Sequence, residues 1–233
     1  MAIKPRDMAK MIDHTNLKPT ATVEDIKKLC DEAREYEFAS VCVNPIFVPL
    51  ASKLLEDSSV KVTTVVGFPL GSTTTETKAF ETRNVIKNGA QEIDMVMNLG
   101  AFKSEAYDLV KADIKAVVDA TKTAGVTSDI IVKVIIETCY LDNEEIAKAC
   151  EIAKEAGADF VKTSTGFGSD GAREDDVSLM RKTVGREVGV KAAGGIRTFD
   201  KALAMLDAGA NRIGTSSGVA IVTGETDDGD KEY

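Results

Sequence analysis

Short runs of β-branched and apolar residues alternate along the chain with longer amphipathic stretches. The short runs fall at 11–14, 38–43, 62–67, 92–97, 130–137, 159–163, 189–192 and 211–214, and the amphipathic stretches at 23–37, 76–88, 104–123, 144–155, 173–184 and 199–208. Runs of the first kind predict strands, and the second kind predict helices with one apolar stripe facing a core. Strand and helix in strict alternation point to repeated βα units around a parallel sheet. Helix starts are marked chemically: Thr22 stands three residues before Asp25, and Thr73, Thr74 and Thr75 precede Glu76. Hydroxyls so placed accept from the open N–H groups of a first helical turn.

An internal repeat supports this count of elements. NGAQEIDMV, EAGADFVKT and DAGANRIGT each run from a helix end through Gly-Ala into a strand. Gly89, Gly157 and Gly209 fit the left-handed position that closes a helix, where a missing Cβ removes the steric cost. Five residues after these glycines stand Asp94, Lys162 and Gly214. Equal offsets imply equal heights and the same facing on three strands.

Eight strands with helical crossovers in 233 residues match a single-domain (β/α)8 TIM barrel of small size. The expected division is a barrel over residues 1–224 and a short tail over 225–233. An open doubly wound sheet is the alternative, but it calls for a Gly-rich turn after the first strand, and HTNLKPTAT is not one. In the barrel, alternate strands supply one layer of inward side chains, so Asp94 and Lys162 share a layer.

Composition narrows the function. Hydrophobic residues at 43% and charged residues at 29% suit a globular chain. No apolar run approaches the roughly 20 residues that span a bilayer, and the N-terminal MAIKPRDMAKMIDHT has no signal-peptide pattern. Cys30, Cys42, Cys139 and Cys150 form no CxxC pair and read as free thiols of a reducing compartment, so a cytoplasmic location is expected. A net charge of −9 without a basic stripe disfavours nucleic acid as partner. It leaves room for an anionic small molecule where positive charge is concentrated.

DFVKTSTGFG and GVKAAGGI concentrate it, because they place Lys162 and Lys191 in neighbouring apolar strands about 4.8 Å apart. Burial and a nearby like charge both disfavour an ammonium. A neutral amine is a nucleophile that forms a Schiff base with a carbonyl. Lys162, followed by the polar turn Thr163–Thr165 and Gly166, is the expected nucleophile, with Lys191 lowering its pKa and Asp94 moving protons. Thr165 and Gly166 are expected to contact substrate. Loops after the seventh and eighth strands commonly hold phosphate in such barrels. Here these are Gly194–Gly195 and Gly214–Thr215–Ser216–Ser217–Gly218, leading into a short extra helix at 219–222. Gly194, Gly195, Gly214, Ser216 and Ser217 are therefore the expected phosphate-binding positions, with no metal or cofactor. His14, the single histidine, reads as a structural hydrogen-bonding group, and Met95 and Met97 as core. Asp13 and Lys133 either support the site or balance its charge.

IDHTNLKPTAT, SVCVNP, VVGFPLG, EIDMVMN, KVIIET, FVKTSTGFG, VKAAGGIRT and GTSSG, in this order from about residue 11 to residue 218, resemble the deoxyribose-phosphate aldolase family. The resemblance implies a (β/α)8 barrel and a metal-free class I aldolase. Such an enzyme, a lyase of deoxyribonucleotide breakdown, reversibly cleaves 2-deoxy-D-ribose 5-phosphate to acetaldehyde and D-glyceraldehyde 3-phosphate. It implies Lys162 as Schiff-base residue, Asp94 as proton donor and acceptor, and Lys191 as the tuning lysine. Homo-oligomerisation is the usual expectation for such barrels. Some members carry lysine directly after the KTSTG glycine, where this chain has Phe167. The acidic end TGETDDGDKEY reads as a mobile tail, and in some members a terminal tyrosine, here Tyr233, is thought to enter the site. Another aldehyde-lyase or a sugar-phosphate isomerase is the competing enzymatic reading. A catalytically silent phosphosugar-binding protein is the competing reading of another class, although a mere binder has no need for a depressed amine pKa.

Overall fold

The computed structural model describes residues 3–124 and 129–224. The expected tail with Tyr233 lies outside the described residues. Eight parallel strands close a barrel in sequence order: β1 (Ile12–Asn16), β2 (Ser40–Val43), β3 (Lys61–Val66), β4 (Glu92–Val96), β5 (Ile131–Ile135), β6 (Phe160–Lys162), β7 (Gly189–Ala193) and β8 (Arg212–Thr215). Strand β8 pairs back onto β1, with Asp13 opposite Gly214. The (β/α)8 barrel expected from the sequence is the observed fold.

The helices are α1 (Pro5–Ala9), α2 (Val23–Glu35), α3 (Val48–Leu54), α4 (Thr75–Lys87), α5 (Leu99–Lys103), α6 (Tyr107–Lys122), α7 (Asn143–Glu155), α8 (Glu174–Val184), α9 (Phe199–Asp207) and α10 (Gly218–Thr223). Thr22 and Asp25 form a complete capping box at α2, as do Asp142 and Glu145 at α7. The sequence pattern did not predict α1, α3 or α5, which have five to seven residues each. Fewer than two turns leave no readable period. The stretch 104–123 begins as a helix only at Tyr107, because Glu105 takes a left-handed φ of 57° that separates α5 from α6.

Apolar residues of the strands' outer faces and the helices' inner faces form one continuous core, including Val41, Ile93, Val134 and Val190 against Ile26, Ile114, Ile146 and Met180. Met95 and Met97 are buried in it. His14 also faces outward, with its Nε2 2.7 Å from Glu32 of α2 and its ring 5.0 Å from that of Phe38. A buried ion pair joins α4 to α6: Lys78 Nζ lies 2.5 Å from Asp113 and donates to the Val96 carbonyl at 2.9 Å. The four cysteines are free. No described helix is long and apolar enough to cross a membrane.

Candidate active site

The inside of the barrel is ionic. Lys133 of β5, Lys162 of β6, Lys191 of β7 and Arg212 of β8 converge with Asp13 of β1 and with Glu92 and Asp94 of β4. Four cations thus meet three carboxylates in a space that leaves Asp13, Asp94, Lys133 and Lys191 without solvent exposure. Strand geometry produces this convergence. Lys162 and Lys191 are paired across β6 and β7, Asp94 and Lys133 across β4 and β5, and Glu92 lies on the same face two residues before Asp94.

Asp94 is the hub. Its Oδ2 accepts from Lys162 Nζ at 2.8 Å and from Lys191 Nζ at 2.8 Å, while Oδ1 accepts from Lys133 Nζ at 2.9 Å. Lys191 also donates to Asp13 at 2.5 Å, and Arg212 donates to the other Asp13 oxygen at 2.6 Å. Lys133 lies 2.6 Å from Glu92, and Ser40 donates to Asp13 at 2.7 Å. Gly214 makes room for this arrangement, since a Cβ there would stand 2.9 Å from Lys191 Cε.

The charges divide unevenly among the three lysines. Burial is the largest influence on Lys162 and lowers its pKa, and the Lys191 ammonium lowers it further against the opposing pull of Asp94. Burial alone would do the same to Lys191, but Asp13 and Asp94 overcome it and hold that ammonium above the ordinary lysine range. Lys133 likewise ends raised, because Asp94 and Glu92 outweigh its burial. Burial favours a protonated Asp94, yet Lys133, Lys162 and Lys191 together hold its carboxyl well below the usual range. Of the three lysines, Lys162 alone is shifted toward the neutral amine, and it shares the Asp94 carboxylate with the Lys191 ammonium. Lys162 is also the lysine with measurable exposure, 3% against zero for the other two, which places it at the open end of the network. Cys42 lies within reach of the same charges, with its thiol pushed up to about 11 chiefly by burial.

Beyond the strand ends, the loops after β6, β7 and β8 are tied together. The Thr163 hydroxyl donates to the Ala193 carbonyl at 3.1 Å and accepts from the Ala193 N–H at 3.1 Å. The Thr215 hydroxyl donates to the Ile196 carbonyl at 2.6 Å and accepts from the Ser217 N–H at 2.9 Å. Gly194 and Gly195 have φ of 89° and 74°, and the space that a Gly195 side chain would enter is open. Ser216 is exposed at the mouth and Ser217 is buried beneath it.

Lys162, Asp94 and Lys191 are brought together as expected, and Asp13 and Lys133 belong to the same network. Gly214 and Thr165 each have structural contacts as well. Gly214 lies inside β8 against Lys191, two positions before the loop that begins at Ser216. The Thr165 hydroxyl donates to Glu137 and accepts from the Phe167 N–H at 3.0 Å, which ties it into its own turn. Glu92, Arg212 and Glu137 were not expected. For Glu92 and Arg212 a signal existed, because each stands two positions before a residue already placed inside the barrel and so shares its face.

The model of the DeoC/LacD aldolase family matches residues 7–224 of this chain. The chain is 64% identical over 216 residues to the deoxyribose-phosphate aldolase of Caldanaerobacter subterraneus subsp. tengcongensis, covering 93% of this chain and 92% of that one. It is also 64% identical over 220 residues to the deoxyribose-phosphate aldolase of Thermococcus gammatolerans, covering 94% and 96%. Among solved structures, the tetrameric deoxyribose phosphate aldolase of Aeropyrum pernix superposes with a TM-score of 0.87 at 36% identity, covering 94% of this chain and 91% of that one.

Proposed function

The chain belongs to the DeoC/LacD family of aldolases, and from that premise we propose that it cleaves 2-deoxy-D-ribose 5-phosphate reversibly to acetaldehyde and D-glyceraldehyde 3-phosphate through a Schiff base on Lys162. The observation that carries the mechanism is the buried Lys162 amine, its pKa lowered by burial and by Lys191, 2.8 Å from an Asp94 carboxylate that also holds the Lys191 ammonium at 2.8 Å.

The neutral amine adds to the C1 aldehyde of the open-chain sugar, giving a carbinolamine. Loss of water, with a proton supplied from the Asp94–Lys191 pair, leaves an iminium at C1. Removal of the C3 hydroxyl proton then breaks the C2–C3 bond. The electron pair moves into the iminium to give an enamine, and C3 departs as the aldehyde carbon of glyceraldehyde 3-phosphate. Protonation of the enamine at C2 and addition of water return the amine and release acetaldehyde. Asp94 accepts from both Lys162 and Lys191 and so links them in one connected chain along which protons move. The buried network lends the iminium a carboxylate partner in a site where water competes weakly.

The phosphate of the substrate fits the N–H groups and hydroxyls of Gly166, Gly194, Gly195, Ser216 and Ser217 at the open end. A homo-oligomer is supported by the exposed side chains of Ile46, Leu70 and Phe80, of which Leu70 and Phe80 line one groove with Phe68 and Pro69. Light scattering reads the assembly directly, and a monomer at micromolar concentration would refute it. The four free thiols support a cytoplasmic location, and the net charge of −9 speaks against a nucleic-acid partner. Fractionation of the native host would test that location.

The mechanism is tested by incubation with acetaldehyde and borohydride followed by peptide mapping. A reduced two-carbon adduct on Lys162, absent from Lys162→Met, is expected. An adduct on another lysine, or turnover retained by Lys162→Met, would refute it.

A further inference from the structure

Three residues other than glycine have left-handed backbone among the described residues: Glu37, Glu105 and Glu137, with φ of 55°, 57° and 55°. Glu37 and Glu105 are exposed and stand just beyond the ends of α2 and α5, the ordinary place for such a conformation. Glu137 is 2% exposed and follows no helix; it stands two residues past β5. A side chain makes left-handed backbone costly, and burial makes an unpartnered carboxylate costly. Both persist only where surrounding structure holds them.

The holding partner is Thr165. Glu137 Oε1 accepts from the Thr165 N–H at 2.9 Å, and Oε2 accepts a short hydrogen bond from the Thr165 hydroxyl. On either side, the Ile136 N–H donates to the Lys162 carbonyl at 3.0 Å and the Thr138 N–H to the Thr163 carbonyl at 2.9 Å. The ladder between the two chain segments thus continues past Glu137, whose side chain reaches across to the turn after β6. Gly168 closes that turn against the same group, since a Cβ there would stand 2.7 Å from Cys139 Sγ and 3.3 Å from Glu137 Cδ. On its other side the turn adjoins the β7 loop, where a Cβ on Gly194 would stand 3.5 Å from Ser164 Cβ.

We propose that Glu137 is a positioning residue for the phosphate end of the substrate. Its carboxylate sets the Thr165–Gly166 turn opposite Gly194 and Gly195 and touches no reacting atom. This inference rests on the reading of a phosphorylated deoxysugar as substrate. Acetaldehyde has no phosphate, so imine formation from it at Lys162 does not need the turn.

Two variants separate carboxylate from backbone. Glu137→Gly keeps a backbone that accepts positive φ and deletes the carboxylate, whereas Glu137→Gln keeps an oxygen for the Thr165 N–H. For Glu137→Gly, KM for 2-deoxyribose 5-phosphate is expected to rise about 10- to 100-fold, while borohydride trapping of acetaldehyde on Lys162 stays within about twofold. Glu137→Gln is expected to recover most of the lost affinity. An unchanged KM in Glu137→Gly overturns the inference. So does an equal loss of trapping and affinity, or loss of the native circular-dichroism spectrum in both variants. Calorimetric titration with inorganic phosphate reads the turn without the sugar. Weaker binding to Glu137→Gly than to wild type supports the inference even if the wild type does not cleave deoxyribose 5-phosphate, which would refute the substrate reading alone. Equal binding, or none by the wild type, overturns it.

Discussion

Lys162 differs from Lys133 and Lys191 by its partners and not by its residue type. All three are lysines inside one barrel, but Lys133 and Lys191 each face two carboxylates at close range, and Lys162 faces one that it shares. Four cations against three carboxylates leave an excess of one positive charge, and neutralising Lys162 removes it. Lys191→Met would delete the ammonium that competes for Asp94, leaving Lys162 as the nearer recipient of that carboxylate's field. The pKa of Lys162 then rises, and the pH at which acetaldehyde is trapped at half-maximal rate moves upward. At pH 7 the trapping rate is expected to fall by about tenfold or more. A profile that keeps its midpoint and loses only amplitude would show that Lys191 acts in proton transfer and not on the nucleophile's pKa.

At the scale of elements, the three Gly-Ala repeats end helices alike but in different surroundings. Gly89, Gly157 and Gly209 have φ of 109°, 89° and 115°. A Cβ on Gly157 would find its nearest neighbour at 3.7 Å, whereas one on Gly209 would stand 2.7 Å from Arg181 Cγ and 2.8 Å from Arg181 Cβ. Arg181 is itself engaged, donating to the carbonyls of Gly209 and Val188 at 2.9 and 2.8 Å. Gly157→Ala therefore carries backbone strain alone, about 1 kcal/mol, and Gly209→Ala adds a steric clash for a total of about 2–3 kcal/mol. Urea unfolding of the two variants checks the order, and equal losses would show that Arg181 yields without cost. The repeat was visible in the sequence because helix closure by glycine is a local requirement. The short helices α1, α3 and α5 were not, because tertiary packing holds them and they are too short to show a period.

The molecule as a whole places an ionic cluster where most barrels of this kind have apolar layers, and its stability should depend on pH accordingly. Asp13 and Asp94 are held below the ordinary carboxylate range by the neighbouring cations, after those overcome the effect of burial. A depressed folded pKa gives stability that is complete above the unfolded value near 3.9 and is lost as pH falls through the folded value. Thermal melts followed by circular dichroism should therefore show a steep fall below about pH 4. A melting temperature that does not fall below about pH 4 would mean that the two carboxylates are not held below their ordinary range.

The number of strands, their order along the chain and the pairing of Lys162 with Asp94 and Lys191 were legible in the sequence, because a parallel barrel repeats one βα unit and equal offsets put equal heights in one layer. Helix closure at Gly89, Gly157 and Gly209 was legible for the same local reason. Only the closed barrel decided that Asp13 meets Lys191 and Arg212 and that Glu92 meets Lys133 and Arg212, since contacts between β1, β4 and β8 depend on how the strands tilt and close around a common axis. The left-handed turn at Glu137 was hidden for a related reason: its partner Thr165 is 28 residues away, and no local preference of glutamate would call for that backbone.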